Sequence, residues 1–167
     1  MKFQTNEELG PFINHWGCFF CSILEKVEKA TEWTQHFSNP AVVAIYVEGM
    51  KRGWITQEVW ENDKPKDGCF VLDAPAVYNY AAEQLGGKWR CTGNRKVDKL
   101  YLPYAGEEEI LELGRAGYNG SHFVAGTGVI HSPDWRDEIE FDPIEGGSQC
   151  AKLGFIKSKR ILTVEVA

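Results

Sequence analysis

Along the chain, the strongest alternation of apolar and polar positions begins just after Gly17. Phe19, Phe20, Ile23, Leu24, Val27 and Ala30 recur at three- and four-residue intervals between position 18 and about 31, which is the period of one helix face. Glu25 and Lys29 stand one turn apart on what that stripe makes the opposite, outward side. A second helix is expected over residues 40–52, where Ser38 or Asn39 offers a cap, Pro40 suits the first turn and Gly53 the end. Its centre, Ala41-Val42-Val43-Ala44-Ile45-Tyr46-Val47, is β-branched enough to keep a strand as the alternative. A short helix is expected near residues 56–61, followed by the turn-rich stretch 62–68. A third helix, over about 75–85, has Asp73 as its cap and Gly86-Gly87 as its stop. Residues 1–16 show no such period and are punctuated by Gly10-Pro11, so they read as an irregular or extended approach to the first helix.

After Gly87 the pattern shortens to that of strands. Residues 88–91 and 97–102 are strand candidates, and 107–113 reads as a further short helix or an acidic edge, its glutamates a solvated surface. The stretches 121–130, 138–143 and 160–166 alternate and are β-branched, as the strands of a mostly antiparallel sheet would be. Helices first and sheet second give an α+β fold, with a helical part over about 1–87, a sheet part over about 88–167 and the first helix packed on the sheet. The 167 residues suit one domain, and no internal repeat or low-complexity linker divides them.

Composition narrows the function classes. A net charge of −6 without a Lys/Arg run argues against a nucleic-acid partner bound through its phosphates. No stretch approaches the roughly 18 apolar residues of a membrane span, and residues 1–8 lack an apolar signal core. The expectation is a cytoplasmic protein with no membrane partner. The five cysteines, Cys18, Cys21, Cys69, Cys91 and Cys150, are an odd set that disfavours a disulfide framework. Cys18-x-x-Cys21 has the spacing of half a zinc site or of a redox pair, yet the remaining cysteines stand alone and no strand precedes the motif in a βαβ setting. No metal or cofactor is expected.

The chemistry concentrates at Cys18. A helix start offers partial positive charge and unpaired N–H groups, which favour a thiolate there and make Cys18 the candidate nucleophile. Cys21, one turn further in, reads as a small core residue. A thiolate needs an imidazole to share its proton, and the imidazole needs a third group to orient it. Of the four histidines, His122 sits best, at the start of an expected central strand. Asp142 ends the next strand, and antiparallel neighbours bring the start of one beside the end of the other. His15, in the approach segment, is placed to line a cleft, whereas His36 and His131 fall in loops. The oxyanion needs donors: the Cys18 N–H and an upstream side-chain amide, with Gln4 and Asn14 both available and Gln4 preferred because its extended segment can run back over the cleft.

The order Gln4, then Gly17-Cys18-x-x-Cys21-Ser22-Ile23, then Ser121-His122-Phe123-Val124-x-Gly126-x-Gly128, then Phe141-Asp142-Pro143 resembles the bacteriocin-leader-processing branch of papain-fold cysteine peptidases. That family reads Gln, then Gly-Cys-Gly-x-[Thr/Ser/Ala]-Ser on a helix, then His-[Trp/Phe/Tyr]-Val-Val-x-x-Gly, then an Asp-Pro pair. The resemblance implies a papain-like fold, a peptide or protein substrate, and catalytic roles for Cys18 as nucleophile, His122 as base, Asp142 as orienting carboxylate and Gln4 as oxyanion donor. Phe19 stands where the family often has Gly. The Gly-Cys-x-x-x-Ser opening is also similar to that of small phage and prophage proteins. The match covers the two ends of the chain and leaves about 32–118 without a counterpart. The function expected is a cysteine peptidase or amidase. Its alternative is a papain-shaped binding module without chemistry, in which Trp16, Trp54, Trp60, Trp89 and Trp135 line a protein or glycan groove. An acidic chain suits a basic peptide, but net charge is too blunt to choose a substrate, and oligomeric state has no signal here.

Overall fold

The approach to the first long helix is itself helical, contrary to the sequence expectation. After a 3-10 turn over Glu7–Leu9, Pro11 takes the first position of helix α1 (Pro11–Trp16), where its missing N–H and fixed φ cost nothing. The computed structural model describes residues 3–130 and 133–167, so His131 lies outside the described residues. Helix α2 (Cys18–Ala30) follows α1 after a single residue. Gly17 separates the two for want of space rather than through an unusual torsion. Its φ is -82°, and a Cβ there would collide with the carbonyl oxygen of Ile13.

α2 is buried well beyond its apolar stripe, and every residue from Phe20 to Glu28 is shielded. Glu25 therefore does not pair with Lys29 on an outer face. Lys29 reaches the Glu108 carboxylate at 3.1 Å instead, and Glu25 is 2% exposed. The helix can be buried all round because its polar residues meet polar groups of the sheet. Lys26 Nζ donates to the Gly126 carbonyl at 2.6 Å and to Glu140 at 2.8 Å.

The β-branched run 41–47 is helical, in α3 (Asn39–Lys51). The Ser38 side chain accepts from the Ala41 N–H at 3.2 Å, and that cap with Pro40 decides against the strand. The short helix expected at 56–61 is absent. An antiparallel hairpin of β1 (Val59–Glu61) and β2 (Lys64–Asp67) stands there, turning on Asn62 and Asp63 at φ 51° and 61°. These are the left-handed torsions of a two-residue hairpin turn, which Asn and Asp tolerate. Helix α4 (Ala74–Gln84) is capped by Asp73, as its sequence suggests.

The sheet comprises β3 (Trp89–Val97), β4 (Glu107–Gly114), β5 (His122–Gly126), β6 (Ile139–Phe141) and β7 (Phe155–Val166), with α5 (Gln149–Leu153) preceding the last strand. Its order is β3-β7-β4-β5-β6 and every pairing is antiparallel. The first strand candidate, 88–91, falls at the start of β3, which is bulged between Cys91 and Gly93 and runs on to Val97; the second, 97–102, is not a strand, only Val97 belonging to β3. The stretch 107–113 is a larger correction. It is neither a helix nor a solvated edge but the middle strand β4, buried from Glu109 onward. Its acids are met from three elements: Glu107 by Arg95 of β3, Glu108 by Lys26 and Lys29 of α2, and Glu109 and Glu112 by Lys159 and Arg160 of β7. Lys159 Nζ lies 3.0 Å from Glu109 and 2.7 Å from Glu138.

The fold is thus α+β, a five-stranded antiparallel sheet with α1 to α4 gathered on its Ile110 side and the short α5 on its Leu111 side. The main core joins Phe12, Ile13, Phe20, Ile23 and Val27 to Ile110 and Leu162. A smaller cluster of Leu111, Leu113, Val124 and Cys150 lies separately, with Ala151 of α5 packed against it. Among the described residues no helix is long and apolar enough to cross a membrane.

Burial, and then the nearby Glu28 carboxylate, push the Glu25 carboxyl up from 4.5 to about 7. A carboxyl raised in the folded state leaves stability intact below its unfolded value and removes it as pH climbs through the folded value. Glu25→Gln should therefore stabilise the protein by roughly 1–2 kcal/mol at pH 8 and much less at pH 5. Urea unfolding at the two pH values measures this, and a gain that does not grow with pH refutes the assignment.

Candidate active site

The first turn of α2 is held against the start of β5. Ser22 Oγ donates to the Cys18 carbonyl at 2.7 Å and lies 3.4 Å from the carbonyl of Phe123. Next to Phe123, His122 opens β5. β6 pairs with β5 through Ala125 opposite Phe141, and Asp142 follows directly. His122 Nε2 consequently sits 2.7 Å from Asp142 Oδ1. With Nε2 engaged, Nδ1 is the ring nitrogen left for Cys18, which lines the same cleft and lies near enough to raise the imidazole pKa. The sulfur, imidazole and carboxylate singled out in the sequence are brought together.

The electrostatics follow from these contacts. Burial pushes the His122 imidazolium toward losing its proton, but the hydrogen bonds to Asp142 and Cys18 outweigh it and raise its pKa to about 9. Burial works against the Asp142 carboxylate too, and the His122 bond and the N–H groups of Ser148 and Ile144 more than offset it, so its pKa is lowered. Both oxygens are fully used. Oδ1 also accepts from Ile144 N–H at 3.0 Å, and Oδ2 accepts from Ser148 N–H at 2.8 Å and Ser148 Oγ at 2.7 Å.

Ser148 is the site residue that sequence reasoning missed. Gly146 and Gly147, both at positive φ (82° and 89°), turn the chain back so that Ser148 meets Asp142. The same hydroxyl accepts from Ala151 N–H and caps α5. A serine three residues before Ala151 was a visible cap signal, but nothing local tied it to Asp142.

Gln4 is brought to the site as well. Its N–H donates to the Pro143 carbonyl at 2.9 Å, and its side chain, 3% exposed, donates from Nε2 to the Asn14 carbonyl at 3.1 Å. Asn14 commits both N–H groups of its own amide, to the carbonyls of Gln4 and Asn6, so it has none for the cleft. Gln4 Nε2 keeps one. A continuous helix would also give the Asn14 carbonyl to Cys18 N–H, which has no backbone acceptor among the described hydrogen bonds.

Gln4, Cys18 and His122 line one cleft of about 480 Å³, together with His15, Trp16, Phe19, Cys69, Phe123 and Arg160. Phe19 does not displace the helix start. Its ring packs 4.9 Å from that of Phe123 and forms part of the wall. Of the five tryptophans considered for a groove, Trp16 alone lines this cleft, and Trp60 projects from the β1–β2 hairpin. His36 is half-exposed beside Glu28 at 3.4 Å. Cys21 is a buried core thiol whose pKa burial pushes well up. Among the described residues no three or more His, Cys, Asp or Glu side chains are placed to hold a metal ion.

In an NMR titration, His122 should lose its proton near pH 9, far above an unperturbed imidazole. Asp142→Asn should bring that midpoint down by at least one unit, because burial then acts with one fewer opposing charge. Ser148→Ala, which leaves the two backbone bonds to Asp142, should lower it less. A wild-type midpoint near 6.5 contradicts the hydrogen-bonded triad. No family model, curated protein or solved structure matches the chain.

Proposed function

We propose that this protein is a cysteine peptidase or amidase of papain-like fold that cleaves an amide bond through an acyl-enzyme. The observation that carries the reading is the His122–Asp142 bond of 2.7 Å on one ring nitrogen, with Cys18 beside the ring in the same cleft, at the start of a thirteen-residue helix. A papain-like arrangement is further supported by the chain order Gln4, Cys18, His122, Asp142 and by the nucleophile's helix lying along the strand that supplies the histidine.

In the first step the Cys18 thiolate attacks the amide carbonyl carbon, forming a C–S bond and an oxyanion. The Cys18 N–H and the remaining N–H of Gln4 Nε2 are the donors available to that oxygen. Collapse breaks the C–N bond as the His122 imidazolium gives its proton to the departing amine. Water then enters, His122 takes its proton, and attack on the thioester releases the acid and restores the thiolate. Asp142 stays ionised throughout and holds the ring plane and tautomer.

Iodoacetamide should modify Cys18 ahead of Cys21, Cys69, Cys91 and Cys150, which are all buried. Since exposure alone would favour Cys18, the deciding comparison is His122→Ala, which should slow Cys18 modification at pH 6 tenfold or more. On a degenerate fluorogenic peptide library, Cys18→Ala should abolish hydrolysis and Gln4→Ala should cut kcat by about 10²–10³. A binding module without chemistry would show no dependence of Cys18 reactivity on His122. First labelling at Cys69 or Cys91 would equally overturn the reading.

A further inference from the structure

The cleft has a charge opposite to that of the chain. The protein carries a net −6, yet among the described residues no Asp or Glu lines the cleft, while Arg160 does. The floor beyond the first turn of α2 is the helix-facing side of the sheet, with Phe123 from β5, Arg160 from β7 and Asn94 from β3. The Arg160 guanidinium carbon lies 5.5 Å from the centre of the Phe123 ring, and that ring lies 4.9 Å from Phe19, the neighbour of Cys18. Arg160 is therefore at most about 10 Å from the Phe19 ring, a distance that about three residues of extended peptide span.

Arg160 is held ready rather than spent. Its Nη1 donates to Ser158 Oγ at 2.8 Å and to Glu112 at 3.2 Å, and its face covers Phe123. Its Nη2 and Nε have no hydrogen-bond partner among the described residues, and the side chain is 21% exposed. Glu112 does not cancel the local positive charge. It also accepts from Ser158 Oγ at 2.6 Å and Ser121 Oγ at 2.7 Å, and Lys157 Nζ lies 3.8 Å away. One carboxylate thus faces two cations. A guanidinium fixed along one edge offers the other as a planar pair of donors, the geometry that fits a carboxylate.

We propose that Arg160 makes the cleft selective for amide substrates that bear a carboxylate within a few residues of the scissile bond. As a statement about substrate it rests on the acyl-transfer reading above. It also reverses the preference for basic peptides that net charge alone would suggest, because a fixed cation within the cleft acts at short range and the surface acids are screened over about 8–10 Å.

The test uses two pairs of N-acetylated peptide amides with a central Gly-Gly. One pair has Glu or Gln three residues before it, the other Glu or Gln three residues after it. Calorimetric titration into the Cys18→Ser protein should show the Glu member of one pair binding at least tenfold tighter than its Gln partner. Arg160→Gln should bring the two within twofold. Arg160→Lys, which keeps a charge beside Glu112 and so guards against a folding defect, should retain part of the preference. Raising salt to 0.5 M should weaken it in the unaltered cleft. Equal binding in both pairs, absence of binding, or a preference that survives Arg160→Gln overturns the proposal. Failure of the acyl-transfer reading shows separately, in the His122 dependence of Cys18 alkylation.

Discussion

A lysine buried in the middle of a helix fixes where the chemistry sits. Lys26 is fully enclosed, and its ammonium is held by the Gly126 carbonyl and by Glu140 and Glu108 at 2.8 and 3.2 Å. A buried charge deprived of its partners costs about 3–5 kcal/mol, so α2 can neither rotate nor slide without losing that amount. From Cys18 to Lys26 is eight helical steps, about 12 Å. From His122 to Gly126 is four strand steps, about 13 Å. The two rulers match, and helix and strand run in the same direction. Anchoring Lys26 on Gly126 at one end therefore delivers Cys18 to His122 at the other, with the Ser22–Phe123 contact between them.

The carboxylate end of the relay is fixed by different means. Asp142 lies just past β6, in a segment with no ladder bonds of its own, so its orientation has to come from local bonds. Ser148 provides two of them and uses the same hydroxyl to cap α5. The approach segment closes the assembly from the other side. Gln4 is tied by its main chain to Pro143 and by its side chain to Asn14, which joins α1 to the Asp142 loop across the mouth of α2. A displacement of any of these three pieces would be felt by the others through shared hydrogen bonds rather than through apolar packing, which is permissive by comparison.

These mechanisms explain what could be read from the sequence and what could not. The stripe of α2, the caps of α3 and α4, and the pairing that sets Asp142 beside His122 are local or nearest-neighbour effects, and all were legible. β4 was not, because a run containing Glu107, Glu108, Glu109 and Glu112 is strand-compatible only when groups distant in the chain meet it: Arg95 at Glu107, Lys26 and Lys29 at Glu108, Lys159 at Glu109, and Ser158 with Arg160 at Glu112. The same limit hid the inward Glu25 and the role of Ser148. Residues 56–61 failed for another reason: the turn chemistry of Asn62-Asp63 outweighed weak helical propensity. Gly17 does open the long helix, but it follows another helix rather than an extended approach, and crowding at Ile13 rather than φ requires glycine there.

The acid-free cleft is a condition of the relay as well as a candidate specificity device. His122 is protonated over most of the pH range because Asp142 approaches Nε2 from behind the cleft, leaving Nδ1 to the sulfur. A second carboxylate on the open side would find that same imidazolium within reach and would compete with sulfur for Nδ1–H, a charge-assisted bond that a carboxylate makes more strongly than a thiol. On the proposed function, Arg160, which lines the same cleft, works in the other direction: it would draw a substrate carboxylate to its own end of the floor and away from His122, leaving the Cys18–His122 pair unquenched. Glu112 is the acid nearest that floor, and it is rendered harmless by four donors that fill its oxygens: Ser121, Ser158, Arg160 and, at longer range, Lys157.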